Sequence, residues 1–150
     1  MADFDYKQSA GATLSIGDSS SPPTYTVVGG ITNIPEFGRS YERGTFNPIG
    51  DRRTRKYKGA YDEGSFSVEL ARDVSDQGQT DLQTAVDSDD PVPIKIELGD
   101  APSGSGTSGT TFEFEALIMS FTTAIGTTND YVSGTVQMEI VSDITETAAA

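Results

Sequence analysis

Apolar and polar residues alternate with a period of two over most of this chain, the pattern of strands buried on one face. Leu14 and Ile16 alternate with Thr13 and Ser15 and stop at Gly17-Asp18. Tyr25 to Ile34 reads as a strand broken at Gly29-Gly30, where two glycines suggest a bulge or a bend. Phe66, Val68 and Leu70 share one face, and Ser65, Ser67 and Glu69 the other. Val92, Ile94, Ile96 and Leu98 point inward against Lys95 and Glu97, with Pro93 marking a strand start or an edge. Phe112 and Phe114 alternate with Glu113 and Glu115. Leu117-Ile118-Met119 then interrupts the period, which predicts burial on both faces or a bulge. From Tyr131 to Val141, Val132, Val136, Met138 and Ile140 share a face against Ser133, Thr135, Gln137 and Glu139.

One segment has helical spacing. Leu82, Ala85 and Val86 form an i, i+3, i+4 stripe, and Asp73 or Ser75 can serve as N-cap, so a helix is expected over about 74–87. Residues 36–63 carry no core face and read as a long loop with short extended pieces. The ends read as flexible: an N-terminal arm over 1–11 and a tail over 145–150, flanking one β domain over 12–144. The fold class predicted is mainly β: an antiparallel sandwich or barrel with one flanking helix and the long loop.

Charge changes this picture. The net charge is −13 over 150 residues, but residues 1–72 hold nine acids and nine bases, while 73–150 hold fourteen acids and one base, Lys95. Seven of the ten bases are Arg39, Arg43, Arg52, Arg53, Arg55, Lys56 and Lys58. This basic stretch has three readings: a self-complementary contact with the acidic half of another copy, a solvated loop, or a phosphate-binding patch. The acidic whole repels DNA at long range.

Composition narrows the chemistry. There is no Cys and no His, so Ser-His-Asp and Cys-His catalysis, a zinc ribbon and a disulfide framework are excluded. Gly104 to Gly109 matches G-x-G-x-x-G, but it opens a period-two strand and not the helix that a pyrophosphate site needs. Asp87, Asp89 and Asp90 lack the remaining positions of a calcium loop. Glu113 and Glu115 are two apart on a polar sheet face and need no glycosidase role. No catalytic, cofactor or metal site is predicted, and no enzyme. No apolar run reaches the length of a membrane span. The N-terminus lacks an apolar signal region, so the protein is expected to start near Met1 and stay in the cytoplasm of the producing cell.

The most specific wording is Arg55 to Leu70, followed by Asp73, Asp76, Gly78, Gln79 and Leu82 in the pattern Asp-x-x-Asp-x-Gly-Gln-x-x-Leu. These passages resemble the major tail tube proteins of long-tailed, non-contractile bacteriophages. The opening strands (Thr13 to Asp18, Tyr25 to Ile34) and the closing pair (Phe114 to Phe121, Val132 to Ile140) are similar to that family in the same order. The Gly/Ser loop 103–109 and the strength of the run Arg52, Arg53, Arg55, Lys56 depart from it.

The resemblance implies a structural virion protein of the tail, assembled in the host cytoplasm. It implies hexameric rings stacked into a hollow tube, with a tape-measure protein inside and terminator and baseplate proteins as partners. DNA passes through the lumen without specific binding, and no membrane is involved. On this reading Arg39, Arg43, Arg52, Arg53, Arg55, Lys56 and Lys58 are candidates for the contact between rings. Glu69, Glu97, Glu113, Glu115 and Glu139 are candidates for the lumen wall. Two other readings stand beside it: a tube protein of a contractile injection or type VI-like machine, and a β-sandwich decoration or binding module.

Overall fold

Strands form wherever one face alternates into the core. The computed structural model describes residues 7–104 and 106–150. In chain order these hold β1 (Thr13–Gly17), β2 (Tyr25–Val28), β3 (Ile31–Asn33), β4 (Ser40–Phe46), β5 (Arg55–Asp62), β6 (Ser65–Ala71), α1 (Gln77–Val86), β7 (Val92–Glu97), β8 (Thr111–Ala124), β9 (Ser133–Ile140) and β10 (Thr145–Thr147). The fold is mainly β, antiparallel throughout, with a single helix.

The large sheet runs β2-β1-β7-β8-β9-β6-β3, with β10 also on β8. Its two border strands are neighbours in sequence, joined only by Gly29-Gly30. Three trans peptide steps span at most about 11 Å, so the sheet must roll until its borders converge at that turn. The core fills the roll: Leu14, Ile16, Phe66, Val68, Leu70, Ile94, Ile96, Phe114, Ala116, Ile118, Val136, Met138 and Ile140 are all buried. The interruption at Leu117-Ile118-Met119 is a bulge, since the β8–β9 register shifts between Ile118 and Ser120.

The helix lies against β2, β1 and β8, and buries Leu82 and Ala85 in the same core. Its N-cap is Asp76, not Asp73 or Ser75. Those two are occupied with each other: the Ser75 N–H and hydroxyl both donate to Asp73 Oδ1. The Asp76 carboxylate accepts from the Gln79 N–H at 3.0 Å and also from the Gly29 N–H at 3.1 Å. One cap thus serves the helix and the border turn.

Gln79, three residues on, sits at the position from which a capping-box side chain normally reaches back to the cap. It reaches elsewhere. Nε2 donates to the carbonyls of Gly29 and Ala71, both at 2.9 Å. Oε1 accepts from the Asp73 N–H at 2.9 Å and from Arg72 Nη1 at 3.1 Å. The side chain is fully buried, and it ties the β2–β3 turn to the end of β6. Two glycines let the parts approach this closely. A Cβ on Gly78 would lie 2.5 Å from the Val27 carbonyl oxygen, and Gly30 takes φ +77 with its Cβ position 2.6 Å from the Ala71 oxygen. Gly78→Ala is therefore expected to force the helix off β2 and cost about 1–3 kcal/mol as overpacking. A urea titration of the variant beside the parent protein measures it.

Three further sequence expectations differ from the structure. The stretch 36–63 is not a loop throughout but carries the hairpin β4–β5, a separate two-stranded sheet. Its side chains meet no core, so it lacks the one-sided alternation that marks a strand. The tail over 145–150 is not free: β10 pairs Thr145, Glu146 and Thr147 with Glu113, Phe112 and Thr111, and Ala150 exchanges two backbone hydrogen bonds with Ser108. Its six residues have no apolar pattern because only backbone bonds hold them. Val132 lies before β9 and is exposed, not in the core face. Of the arm over 1–11, residues 1–6 lie outside the described residues. Lys7, within them, pairs with Asp100 at 3.7 Å.

Candidate functional site

Two surfaces carry the residues singled out by the sequence. The first is the outer face of the rolled sheet. Glu97 on β7, Glu113 and Glu115 on β8, Glu139 on β9 and Glu69 on β6 each flank buried residues along their strands, so all five point away from the core. Most of their neighbours on that face are polar, with Ser67 opposite Gln137, Glu69 opposite Thr135 and Ser65 opposite Glu139, but Leu117 also lies opposite Glu139 and Pro93 opposite Glu115. Lys95 is the one base among them. It lies opposite Glu113 and rests its ammonium 4.8 Å from the centre of the Tyr25 ring. Burial raises the pKa of the Tyr25 hydroxyl, and Glu113 and Glu115 add to the shift. Glu97 is partly committed within the chain, since Oε2 accepts from the Gly109 N–H at 3.2 Å.

The second surface is the hairpin. Arg43 lies on β4, Arg55, Lys56 and Lys58 on β5, and Arg52 and Arg53 in the turn between them. An isolated two-stranded hairpin is marginal in water. This one is held by aromatic pairs, Tyr41 with Tyr61 at 5.5 Å and Phe46 with Tyr57 at 6.4 Å, and by Lys58 over the Tyr41 ring at 4.6 Å. Yet Arg43 lies directly opposite Lys58, a like-charge pair that disfavours the hairpin unless an anion comes between them. Arg55 is bound by Asp51 at 2.7 Å.

Arg39 differs from the other six bases. It lies before β4, at the hairpin's root, and is committed to its own chain. Nε donates to Glu63 Oε1 at 2.7 Å, Nη2 donates to Asp143 Oδ1 at 2.6 Å, and the guanidinium lies 4.1 Å from the Tyr61 ring centre. Hydrogen bonding to Tyr41 and to Glu63 raises its pKa further above the ordinary value. Arg39 thus aims the hairpin relative to the rolled sheet. Neither Glu63 nor Asp143 was singled out by sequence reasoning; pairs 24 and 104 residues apart leave no local signal. Gln79 was quoted only as part of a pattern. The signal available was its polarity inside an apolar stripe, three residues after an Asp.

Among the described residues no group of three or more His, Cys, Asp and Glu is placed to hold a metal ion, and no helix is long and apolar enough to cross a membrane. Four aspartates secure turns and loops. Asp18 is held below the usual carboxylate range first by the Ser20 hydroxyl, Asp73 by the Ser75 hydroxyl, Asp100 by the Thr110 N–H and Asp130 by the Thr127 N–H. Lowered folded-state values mean these bonds stabilise fully above the unfolded value of about 4, and the gain is lost as pH falls through the folded values. Stability is expected to change little between pH 5 and 7 and to fall below about pH 4. Urea midpoints at pH 3 and pH 6 test this, and Asp100→Asn should reduce the difference between them.

No protein-family model and no curated protein matches this sequence. Solved structures do match. A chain of the anti-feeding prophage baseplate, 6-fold symmetrised, superposes with TM-score 0.70 at 12% identity over 99% of this chain and 97% of that one. The tube-terminating cap of the same particle gives TM-score 0.72 at 11% identity over 99% and 95%. The sheath/tube terminator of the PVC extracellular contractile injection system, in its extended state, gives 0.67 at 14% identity over 97% and 100%. The shared feature is the fold, a tail-tube-type rolled β-sheet with one helix, matched over nearly the whole length of each chain.

Proposed function

We propose that this protein is the structural, non-catalytic subunit of a hollow tube, of the kind found in contractile injection machines. Six copies form a ring, and rings stack. The single observation that carries this reading is the end-to-end likeness to chains in the baseplate, cap and sheath/tube terminator structures of two particles. One of the three is from an extracellular contractile injection system, so the reading moves from the non-contractile phage tube to its contractile-injection alternative. A baseplate symmetrised six-fold supports the ring number.

The surfaces suit the job. β2 and β3 border the sheet, and β4 and β5 each pair on one side only. Strand borders of this kind invite a neighbouring chain, and ring closure satisfies them. The outer sheet face, with Glu69, Glu97, Glu113, Glu115 and Glu139, is our assignment for the lumen wall: anionic cargo, DNA included, slides past a surface that repels phosphate. Arg43, Arg52, Arg53, Arg55, Lys56 and Lys58 are assigned to the contact between rings, with Arg39 orienting them. The partners are further copies, a tape-measure protein within, and terminator and baseplate proteins at the ends. The location is the tail of a virion or virion-like particle.

Electron microscopy of the purified protein at high concentration tests this. Rings or tubes with an open lumen are expected; dispersed monomers at every concentration would overturn it. Isolated rings that never stack would instead favour a terminator, since two of the matched chains come from tube-terminating structures. The protein is also expected to leave duplex DNA unshifted in a mobility assay at physiological salt, and micromolar binding would refute the lumen assignment.

A further inference from the structure

The hairpin needs a receiving surface, and the molecule carries two acidic candidates. We infer that the receptor is the far end of the rolled sheet in another copy, built from Val74, Ile125, Tyr131 and Val132, and not the acidic outer face. This deepens the ring-stacking reading and rests on it.

The argument starts from where exposed apolar side chains lie. Among the described residues nine of the twelve large ones fall in two groups. Tyr41, Phe46, Ile49, Tyr57 and Tyr61 belong to the hairpin, and Val74, Ile125, Tyr131 and Val132 to the other group. Several stand almost wholly in water: Ile49 at 106% relative exposure, Val74 at 80%, Ile125 at 71% and Tyr131 at 60%. Scattered single apolar residues need no explanation, but two concentrations rimmed by charge mark contact surfaces.

Register places the two groups at opposite ends. β5 ends at Asp62 and β6 begins at Ser65, which lies opposite Glu139 near the end of β9. The hairpin therefore springs from that end. At the other end of β6, Ala71 lies opposite Ser133, and Ser133 lies opposite Ala124. That is where the β8–β9 turn carries Ile125 and Tyr131. The Arg72 N–H donates to the Val132 carbonyl at 2.8 Å, so the segment leading into α1, with Val74, joins the same patch. Seven strand residues separate the two ends by roughly 20 Å.

Charge and chemistry then choose between the receivers. The hairpin region 40–62 carries six bases against three acids. At the far end the exposed acids are Asp73 and Asp130. The one arginine there, Arg72, is turned inward: it donates to Gln79 and Gln83 and lies 4.8 Å from the Phe121 ring centre. The far end therefore offers both anions and apolar side chains to a basic, aromatic hairpin. The outer sheet face offers anions set mostly among Ser, Thr and Gln, and its exposed apolar side chains, Val27 on β2 and Met119 at the β8 bulge, lie three strands apart and form no group to cover Phe46, Ile49 or Tyr57. Two different surfaces at opposite ends cannot satisfy each other within one copy, and a stack in which every copy points the same way pairs one with the other. They join copies head to tail and leave one of each free, the geometry of an open filament.

The chain has no cysteine, so introduced thiols report cleanly. Ile49→Cys is combined in turn with Val74→Cys, Ile125→Cys and Tyr131→Cys, and as a control with Gln137→Cys on the outer face. Assembled protein is then oxidised and run without reductant. A ladder of covalent multimers from at least one far-end pair, and none from the control, is expected. Tubes that give no ladder from all three pairs, or a ladder from the control, overturn the inference. A second variant, Ile125→Ser with Tyr131→Ser, which removes the apolar groups without changing charge, guards against thiol variants that fail to assemble. It should keep its far-UV circular dichroism and still form rings, while the concentration needed for tubes rises at least tenfold. An unchanged threshold also overturns the inference. Failure of the unmodified protein to form rings or tubes at all would instead sink the tube reading itself.

Discussion

Gln79→Ala is expected to destabilise the folded chain by about 3 kcal/mol or more, because each buried polar group stripped of its partner costs about 1–3 kcal/mol. The substitution strands the carbonyls of Gly29 and Ala71 and the N–H of Asp73, all bonded to this one side chain. It also opens space beneath a fully buried residue. Against a total stability of roughly 5–15 kcal/mol for a domain of ordinary size, such a loss is a large fraction. The effect should be global, since Gln79 ties the turn between the two border strands to β6, and a sheet whose borders part exposes the core. Gln83→Ala is the control. It removes a bond from the same Arg72 at 3.0 Å, but at an exposed site, and should change stability by less than about 0.5 kcal/mol. Urea denaturation of the two variants measures both. Equal midpoints would show that the clasp does not hold the roll together.

Reversing Arg52, Arg53 and Arg55 to glutamate is expected to abolish tubes while leaving the subunit folded. The three lie at or beside the tip of a hairpin with no buried side chain, and surface substitutions of this kind change stability by about 0.5 kcal/mol or less each. Three charges are reversed, a net change of six units, where the next copy must dock, so encounter and orientation suffer most. Asp51 loses its Arg55 partner, an exposed pair that contributes little to stability. The prediction has a salt signature: high ionic strength, which shortens the reach of repulsion to a few ångström, should partly restore assembly. Normal tubes at low salt, seen by electron microscopy with unchanged circular dichroism, would remove the hairpin charges from the stacking contact.

How much of this was readable in the chain depends on how local the cause was. The strands around Leu14, Phe66, Ile94, Phe114 and Val136 were legible because a one-sided core imposes a period of two on consecutive residues. The helix was legible from Leu82 and Ala85. Its cap was misplaced because Asp73, Ser75 and Asp76 are all chemically able to cap, and only the contact with Gly29 selects Asp76. The hairpin was read as a long loop with short extended pieces at 41–46 and 53–57, which overlap β4 and β5; their pairing was missed because the strands bury nothing and so alternate nothing. The C-terminal strand was missed for the same reason. The acidic residues on β6, β7, β8 and β9 were legible one strand at a time; that they share one continuous face follows from strand order.

The amino-acid order by itself determined which residues could be buried, where strands could run, that one segment is basic and the rest acidic, and that His and Cys chemistry is impossible. Those are properties of neighbours in sequence and of composition. The tertiary structure alone decided that β2 and β3 close the roll, that Gln79 clasps it, that Arg39 reaches Glu63 and Asp143, and that exposed apolar groups stand at opposite ends. These depend on segments up to 104 residues apart. Their pairing is set by the packing of the whole core, and short-range pattern carries no record of it.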